Sequence, residues 1–281
     1  MSQKEIPPES ENPRREFMQK SLLGASAFAG LSLASTSHAK VENPPKSLVP
    51  EVINLVDILV VGSGSAGTTA AIQAGRAGAK TLLMERNSQL GGTTTTGGVA
   101  YPGLFDAWGK QVISGIGWEL VKESVELDGG KLPDFSKVPR AHHHNQIHIN
   151  QFLYSILAEE KCQEAGVEIA FYEFPTALTQ TENGWQVDCM GFGTKRRVLC
   201  KQIIDCTGGA EVVGLLGLER LRGEERQPGS YLFQIGSSHN PATRQLNRLY
   251  VHGADSTNSR TVTLANLTGR KSILSRVRKS K

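Results

Sequence analysis

The sequence has few cysteines, no long hydrophobic run and no strong excess of charge of either sign. Its four cysteines among 281 residues include no Cys-x-x-Cys pair, so the spacing typical of iron–sulfur ligands is absent and we expect packed thiols. No apolar run reaches the roughly 20 residues that a membrane-spanning helix needs. The formal net charge of +4 gives no indication of nucleic-acid binding. A chain of this length can bury a substantial core, and we predict a globular protein.

A strand, a glycine-rich turn, a helix and a second strand are predicted in succession within Val56–Glu85. The apolar run Ile58–Val61 is typical of a parallel strand that is buried on both faces. In the turn that follows, Gly62 permits the sharp bend, Gly64 lets a pyrophosphate approach the backbone, and Gly67 lets the helix lie close to the strand. The N–H groups and dipole at the start of that helix favour an anion. The pattern predicts a dinucleotide-binding unit.

An acidic residue and a second glycine-rich segment indicate which dinucleotide is bound. Glu85 lies near the expected spacing of roughly 20 residues after the glycines, where a carboxylate accepts ribose hydroxyls and repels a 2′-phosphate. The segment Gly91–Gly98 is rich in glycine and threonine and lies between a buried strand and an apolar continuation, which is unusual for a linker. A nicotinamide domain has no obvious use for this segment. FAD is therefore favoured, and an NAD-dependent dehydrogenase is the alternative.

Several blocks of sequence resemble FAD-dependent oxidoreductases with a glutathione-reductase-type FAD domain. The resemblance is closest to the flavin part of heterodisulfide reductases and more distant to fumarate reductases. It implies that Gly91 and Gly92 approach the pyrophosphate and ribityl chain, and that Thr94–Gly97 pass the isoalloxazine ring. The blocks are Glu85-Arg86 with Gly91-Gly92 and the threonines, Gly109–Leu120, Lys201–Gly209 with Cys206-Thr207-Gly208 in place of the usual Ala-Thr-Gly, and Gln227–Phe233.

The predicted fold class is α/β, a Rossmann-like domain of the kind that binds FAD or NAD(P), with a β-meander crossover and a partial substrate-side insertion. A helix is expected at 151–164 and strands at 167–172, 176–181, 184–189 and 195–200, with a separate return strand at Ile203. The cofactor is FAD, and no catalytic residue or metal ligand can be assigned. The predicted cofactor-binding residues are Gly62, Gly64, Ser65, Ala66, Gly67, Glu85, Arg86, Gly91, Gly92, Thr94, Thr96, Thr207 and Gly208.

A group of histidines permits three interpretations. His142, His143, His144 and His148 could hold a metal ion, although no nearby carboxylate completes a ligand set. One imidazole could instead act as an acid or base beside the flavin. The third interpretation is that these are ordinary histidines of a loop. The third interpretation is the default, because consecutive histidines point in different directions on any regular backbone.

The N-terminus resembles a twin-arginine export signal. Arg14 and Arg15 precede Phe17 and Lys20, an apolar stretch follows, and small residues end at Ala39. The resemblance implies contact with the twin-arginine export machinery, loading of the cofactor before export, cleavage near Ala39, and a periplasmic or extracellular location. The apolar stretch, residues 21–34, is too short for a stable membrane span.

The expected organisation is a signal peptide (1–39), a linker (40–55), an FAD-binding domain (56–211, with an insertion at about 101–148) and a partial substrate-side region (212–281). The family's C-terminal segment that closes the flavin site is predicted to be missing, so that a partner segment could supply it. The tail after Asp255 is rich in Lys and Arg without an acid and predicts a basic helix, which meets a membrane or a partner or is simply solvated. The predicted function is an exported oxidoreductase that transfers hydride between flavin and a small organic substrate. The alternative to an enzyme is a truncated, non-catalytic flavin-binding or assembly protein.

Overall fold

A computed structural model describes residues 52–137, 142–221, 227–236, 240, 242 and 244–280. The predicted signal peptide and most of the predicted linker lie outside these residues. The strands are β1 (Val52–Val61), β2 (Thr81–Glu85), β3 (Asp106–Ala107), β4 (Lys110–Gln111), β5 (Glu168–Phe171), β6 (Phe174–Thr181), β7 (Gly184–Met190), β8 (Lys195–Asp205), β9 (Gly229–Ile235) and β10 (Gln245–Val251). The helices are α1 (Ser65–Arg76), α2 (Ile116–Leu127), α3 (Gln151–Glu164), α4 (Glu211–Leu215) and α5 (Ser259–Lys279), with short 3-10 turns at Gly92–Thr94 and His142–Asn145.

Six strands form one mixed sheet in the order β5-β2-β1-β8-β7-β6. The pairs β5–β2, β2–β1 and β1–β8 are parallel, whereas β8–β7 and β7–β6 are antiparallel. Helices connect β1, β2 and β5 along the chain, and the antiparallel strands β6, β7 and β8 form the meander that leads back to β1. This arrangement confirms the predicted α/β class with a Rossmann-like sheet and a β-meander crossover.

Two hydrophobic cores lie on the two faces of the parallel strands. Leu83 packs with α1, α2 and α3 on one face, and its neighbours Leu82 and Met84 pack with the meander on the other. Successive side chains of a strand point to opposite faces, which is why adjacent residues of β2 belong to different cores. Every residue of β2 is buried, as expected for a strand covered on both sides.

The structure differs from the sequence prediction at β1 and at β8. β1 begins at Val52 rather than near Val56, and Val52 pairs with Arg196 of β8. The meander strand at 195–200 and the return strand at Ile203 were predicted as separate elements, and this prediction is wrong. Both belong to the single strand β8, because the chain stays paired with β1 through Gln202 after its pairing with β7 ends at Cys200. Its first half pairs with β7 and its whole length follows β1.

The helix predicted at 151–164 is confirmed as α3. The side chain of Asn150 accepts hydrogen bonds from the backbone N–H groups of Phe152 and Leu153, so it caps the first turn. Gly166 follows the helix with a left-handed φ of 72°, a conformation that glycine adopts without strain. The bounds of this helix are therefore set by residues at both ends.

β9, β10 and α5 form a smaller substructure near the end of the chain. β9 and β10 pair as an antiparallel ribbon, and Tyr231 of β9 donates a hydrogen bond to Asn266 of α5 at 2.5 Å. A Cβ atom on Gly269 would overlap the Tyr231 ring, so this glycine allows the helix to contact the ribbon. α5 confirms the predicted basic helix. Among the described residues, no helix is long and apolar enough to cross a membrane.

Candidate functional site

The first glycine turn joins the carboxyl ends of β1, β2 and β8. The Gly62 N–H donates to the Met84 carbonyl at 2.8 Å, and the Cys206 N–H donates to the Val61 carbonyl at 2.8 Å. Gly62 has a φ of +91°, and a Cβ atom there would lie 2.5 Å from the Cys206 carbonyl oxygen. A Cβ atom on Gly67 would overlap the Gly62 carbonyl. Both glycines are therefore required by the close packing of helix and strands, as the sequence pattern predicts.

Gly64 differs from these two glycines because its open side faces free space. A Cβ atom at this position would meet no heavy atom within 4 Å. α1 begins at the next residue, without an acidic side chain in its first turn and without a side-chain cap at Gly64. The first-turn N–H groups have no acceptor within the helix. An anion can approach this backbone as closely as the predicted pyrophosphate requires.

The second glycine segment packs directly on the first. The Gly91 N–H donates to the Ser63 carbonyl at 2.8 Å, and Gly91 forms an isolated parallel bridge with Gly64. A Cβ atom on Gly92 would lie 2.8 Å from the Gly64 Cα atom. The two glycine segments thus form one continuous backbone surface. They are separated by about 30 positions in the chain and were predicted to share one ligand.

The carboxylate of Glu85 is held by two neighbouring residues. Its side chain is buried, with 5% of the residue exposed. Oε2 accepts from the backbone N–H and the hydroxyl of Ser63 at 2.8 and 2.7 Å, and Oε1 accepts from the backbone N–H and the side-chain amide of Asn87, both at 2.8 Å. A carboxylate offers about four acceptor sites. A ribose hydroxyl that binds Glu85 must therefore compete with Ser63 or Asn87.

A cleft of about 280 Å³ lies over the two glycine segments. It brings together eight of the predicted cofactor-binding residues, namely Gly62, Gly64, Glu85, Arg86, Gly92, Thr96, Thr207 and Gly208. Seven other residues line the cleft, namely Ser63, Asn87, Thr93, Gly97, Phe174, Cys206 and Glu211. Of these, only Gly97 was expected near the cofactor, from the family resemblance. Most of the seven are adjacent to a predicted residue, so extending each motif by one residue could have found them.

The other five predicted residues lie beside the cleft lining rather than in it, and their assignment as cofactor-binding residues stays a prediction. Gly67 faces the Gly62 carbonyl, and Gly91 faces Thr95. Thr94 is buried, and its carbonyl accepts from Gln151 at 3.1 Å. The remaining two, Ser65 and Ala66, are exposed in the first turn of α1.

Asp205 and Thr207 shape the opposite wall of the cleft. The Thr207 N–H and hydroxyl both donate to the Asp205 carboxylate, at 3.0 and 2.7 Å. The Thr207 hydroxyl accepts from the Glu211 N–H at 2.8 Å, and Asp205 also accepts from the Val213 N–H at 3.1 Å. These bonds fix the turn between β8 and α4 and hold Thr207 and Gly208 at the cleft.

An ion pair joins the two walls. Nη1 of Arg86 lies 3.3 Å from both carboxylate oxygens of Glu211. The Arg86 side chain is 57% exposed, so the pair contributes little to stability. It does balance the acidic charge of Glu211 at the cleft. The remaining attraction for an anion comes from the backbone N–H groups of α1.

The four thiols have different surroundings. Cys162, Cys189 and Cys200 are buried, and burial raises the pKa of the first two to about 12 and that of Cys200 to about 11. These three confirm the prediction of packed thiols. Cys206 was also expected to be a packed thiol, but it is only partly buried, in the turn after β8, and it lines the cleft, because β8 ends at Asp205. Partial burial and the nearby Asp205 carboxylate raise its pKa.

One of the histidines contacts an aromatic side chain. The His148 ring lies edge-on to Tyr101, with the ring centroids 5.0 Å apart. The Ile149 N–H donates to the Ala100 carbonyl at 3.1 Å, which brings their segments together. Among the described residues, no three His, Cys, Asp or Glu side chains are grouped so that they could hold a metal ion.

Comparisons with known proteins give one family and several partial relatives. A model of the family described as FAD dependent oxidoreductase matches residues 57–275. The chain is 40% identical over 88 residues to pseudooxynicotine dehydrogenase from Pseudomonas sp, covering 30% of this chain and 17% of that protein. It is 36% identical over 91 residues to digoxin reductase from Eggerthella lenta, covering 28% of this chain and 16% of that protein. The matches therefore span about a sixth of these relatives' lengths.

Among solved structures, the chain is similar to OxyS anhydrotetracycline hydroxylase from Streptomyces rimosus. The TM-score is 0.44 at 24% identity, and the match covers 66% of this chain and 39% of the hydroxylase. A geranylgeranyl bacteriochlorophyll reductase-like protein from Thermoplasma acidophilum gives a TM-score of 0.45 at 15% identity, over 72% of this chain and 59% of that one.

Proposed function

The chain belongs to the family of FAD dependent oxidoreductases, and from this premise we propose that the cleft over Gly64 holds FAD and that the whole protein exchanges hydride between flavin and a small organic substrate. The observation that carries the proposal is the packing of the Gly91-Gly92 backbone onto the first glycine turn while Gly64 stays open. An extended dinucleotide needs such a side-chain-free surface next to a helix N-terminus.

The residues around the cleft fit the parts of FAD. The first-turn N–H groups of α1 suit the pyrophosphate, because they supply donors and a positive dipole end without a cationic side chain in that turn. Glu85 and Asn87 supply an acceptor and an amide for the adenosine ribose. Thr96 and Thr207 supply hydroxyl groups further along the cleft. FAD, when bound, supplies the hydride acceptor or donor of the reaction.

The side chains of the cleft would bind and orient FAD, and their arrangement exists before any ligand arrives. Glu85 fixes Ser63, which is part of the glycine turn, through two hydrogen bonds. Asp205 fixes Thr207 in the same way on the other wall. Because these bonds order both walls, little conformational entropy remains to be lost on binding. The Arg86–Glu211 pair keeps the acid of α4 neutralised where an anionic cofactor approaches.

Filling the open side of Gly64 tests this proposal. Gly64→Val adds a side chain whose Cβ atom would meet no heavy atom within 4 Å, at a φ of −60°, so the protein should fold while the cleft loses its side-chain-free surface. We expect the purified wild-type protein to show flavin absorbance or to take up added FAD, and Gly64→Val to do neither. Gly103→Val is the matched control, since Gly103 also has free space around it and lies outside the cleft lining. Folded wild-type protein that never takes up FAD would contradict the proposal.

We also propose that the protein is exported through the twin-arginine route and cleaved near Ala39. The support is the residue pattern around Arg14 and Arg15 and the short apolar stretch after it. Export of a folded protein agrees with a cofactor that is bound before translocation. The narrower likeness to the flavin part of heterodisulfide reductases stays a prediction.

A further inference from the structure

Two segments that flank the insertion, residues 94–101 and 145–151, are joined by hydrogen bonds. Thr96 and Gly97 line the cleft, and the chain continues from them to Tyr101. The Gln151 side-chain amide donates to the Thr94 carbonyl at 3.1 Å. This bond ties the second segment, residues 145–151, to the first segment, residues 94–101, beside the cleft lining. The Ile149 N–H donates to the Ala100 carbonyl at 3.1 Å and ties the two again further along.

The second segment presents polar side chains on one face. Between residues 145 and 149 burial alternates, so that Ile147 and Ile149 lie in the core while Gln146 and His148 are exposed. Tyr101, on the neighbouring segment, is 43% exposed and contacts the His148 ring. The buried isoleucines hold the exposed residues in place. Tyr101, Gln146 and His148 are called the polar face below.

The direction of the cleft decides which half of a dinucleotide lies nearest to the polar face. The adenosine ribose belongs at the acid that ends the second strand, which is Glu85. The pyrophosphate belongs at the start of α1, so the other half of the molecule continues away from Glu85 towards Thr93 and Gly97. Along the chain, the polar face comes soon after this part of the lining, since Tyr101 lies four residues beyond Gly97.

We propose that the polar face contacts the substrate, and that the substrate is a small organic molecule with a carboxylate or carbonyl oxygen; this inference rests on the proposed FAD site. A phenol hydroxyl, a primary amide and an imidazole each donate a hydrogen bond, and none of them carries a negative charge. Val99 is exposed beside Tyr101 and offers apolar contact. Such a surface suits an apolar body with an oxygen acceptor.

Chemical modification with and without FAD tests where the polar face lies. Tyrosines are nitrated with tetranitromethane, histidines are modified with diethyl pyrocarbonate, and each site is quantified by mass spectrometry. We expect bound FAD to lower modification of Tyr101 and His148 severalfold. Tyr250 and His252 are the controls, since both are exposed and neither lines the cleft.

The amount of bound FAD, measured by absorbance in the same samples, separates the possible failures. If FAD binds and Tyr101 and His148 react as before, the inference is wrong and the proposed FAD site stands. If FAD protects Tyr250 and His252 equally, the protection reflects a lower accessibility of side chains throughout the protein, and the inference is also wrong. If no FAD binds, the proposed function fails, and the inference fails with it.

Spectral titration of the FAD-loaded protein tests the substrate class. Benzoate has an apolar body with a carboxylate, and benzylamine has the same ring with a cation. We expect benzoate to perturb the visible flavin bands saturably, and benzylamine to have no effect. Tyr101→Phe and His148→Ala should each weaken benzoate binding severalfold, whereas the control Tyr250→Phe should not. A response to benzylamine, a response to neither ligand, or equal benzoate binding in all variants overturns the assignment.

Discussion

Two glycines of the same turn are expected to differ strongly in how much stability they lose on the same substitution, glycine to alanine. In Gly67→Ala the new methyl group would overlap the Gly62 carbonyl oxygen and lie 2.9 Å from its carbon and 3.1 Å from the Cys206 Cβ atom. Real Cβ atoms essentially never approach within 3.0 Å of such atoms. In Gly64→Ala the methyl group meets nothing within 4 Å, and φ is an ordinary −60°.

The expected loss for Gly67→Ala is about 3 kcal/mol of unfolding free energy, the upper part of the range for overpacking. The turn cannot move aside cheaply, because Gly62 is held by the Met84 carbonyl and Cys206 by the Val61 carbonyl. The better helix propensity of alanine returns only about 1 kcal/mol. For Gly64→Ala, poorer capping and a less flexible unfolded chain offset each other, so the change stays within about 1 kcal/mol.

Urea unfolding of the apoprotein, followed by far-UV circular dichroism, measures both values. The midpoint should fall clearly for Gly67→Ala and stay near the wild-type value for Gly64→Ala, with equal slopes for all three proteins. FAD is left out so that a binding defect does not enter the comparison. Equal stability of the two variants would refute the packing argument, since it would mean that α1 does not lie against the turn as described.

Three further predictions concern other parts of the chain. In the native protein, iodoacetamide should modify Cys206 in preference to the three buried cysteines. The rate should rise as the pH increases, because the raised pKa keeps the thiol protonated at neutral pH. Bound FAD should slow this reaction, and equal rates with and without FAD would contradict the position of Cys206 in the cleft lining. Arg196→Gln should lower the unfolding free energy by about 3 kcal/mol, because the buried Glu173 loses its partner at 2.7 Å; a loss below about 1 kcal/mol in thermal and urea unfolding would show that the pair is not needed. Replacing both Arg14 and Arg15 with lysine should retain the protein in the cytoplasm of an export-competent host, and unchanged secretion of this variant would rule out the twin-arginine route.

The sequence predicts the β1-α1-β2 unit well because its determinants are local. Burial on both faces requires an apolar run, and the close approach of α1 to the turn requires glycine, so the residue types themselves carry the information. The bounds of α3 follow in the same way from Asn150 and Gly166. The continuity of β8 was missed because it depends on pairing with both β1 and β7, and such long-range pairing leaves no mark on the local pattern.

Only part of the candidate site was predicted, because some of its residues are identified by their local pattern and others only by what folding brings to them. The glycines of both segments could be identified from their types, whereas the roles of Ser63 and Asn87 depend on a carboxylate that folding brings to them. Cys206 contacts the cleft because β8 ends one residue before it. A one-residue difference in where a strand ends is beyond what residue propensities specify.

Glu85 connects the fold of this protein to the proposed function. Its carboxylate is the acid that the dinucleotide pattern predicts, but in the structure it accepts four hydrogen bonds from Ser63 and Asn87. The same group therefore stabilises the glycine turn before FAD binds and has to share its oxygens when a ribose arrives. Asn87 is the more readily displaced partner, since its side-chain amide can rotate away while its backbone N–H bond stays in place. Glu85 would then keep its two bonds to Ser63, and the backbone surface next to Gly64 would stay unchanged during binding.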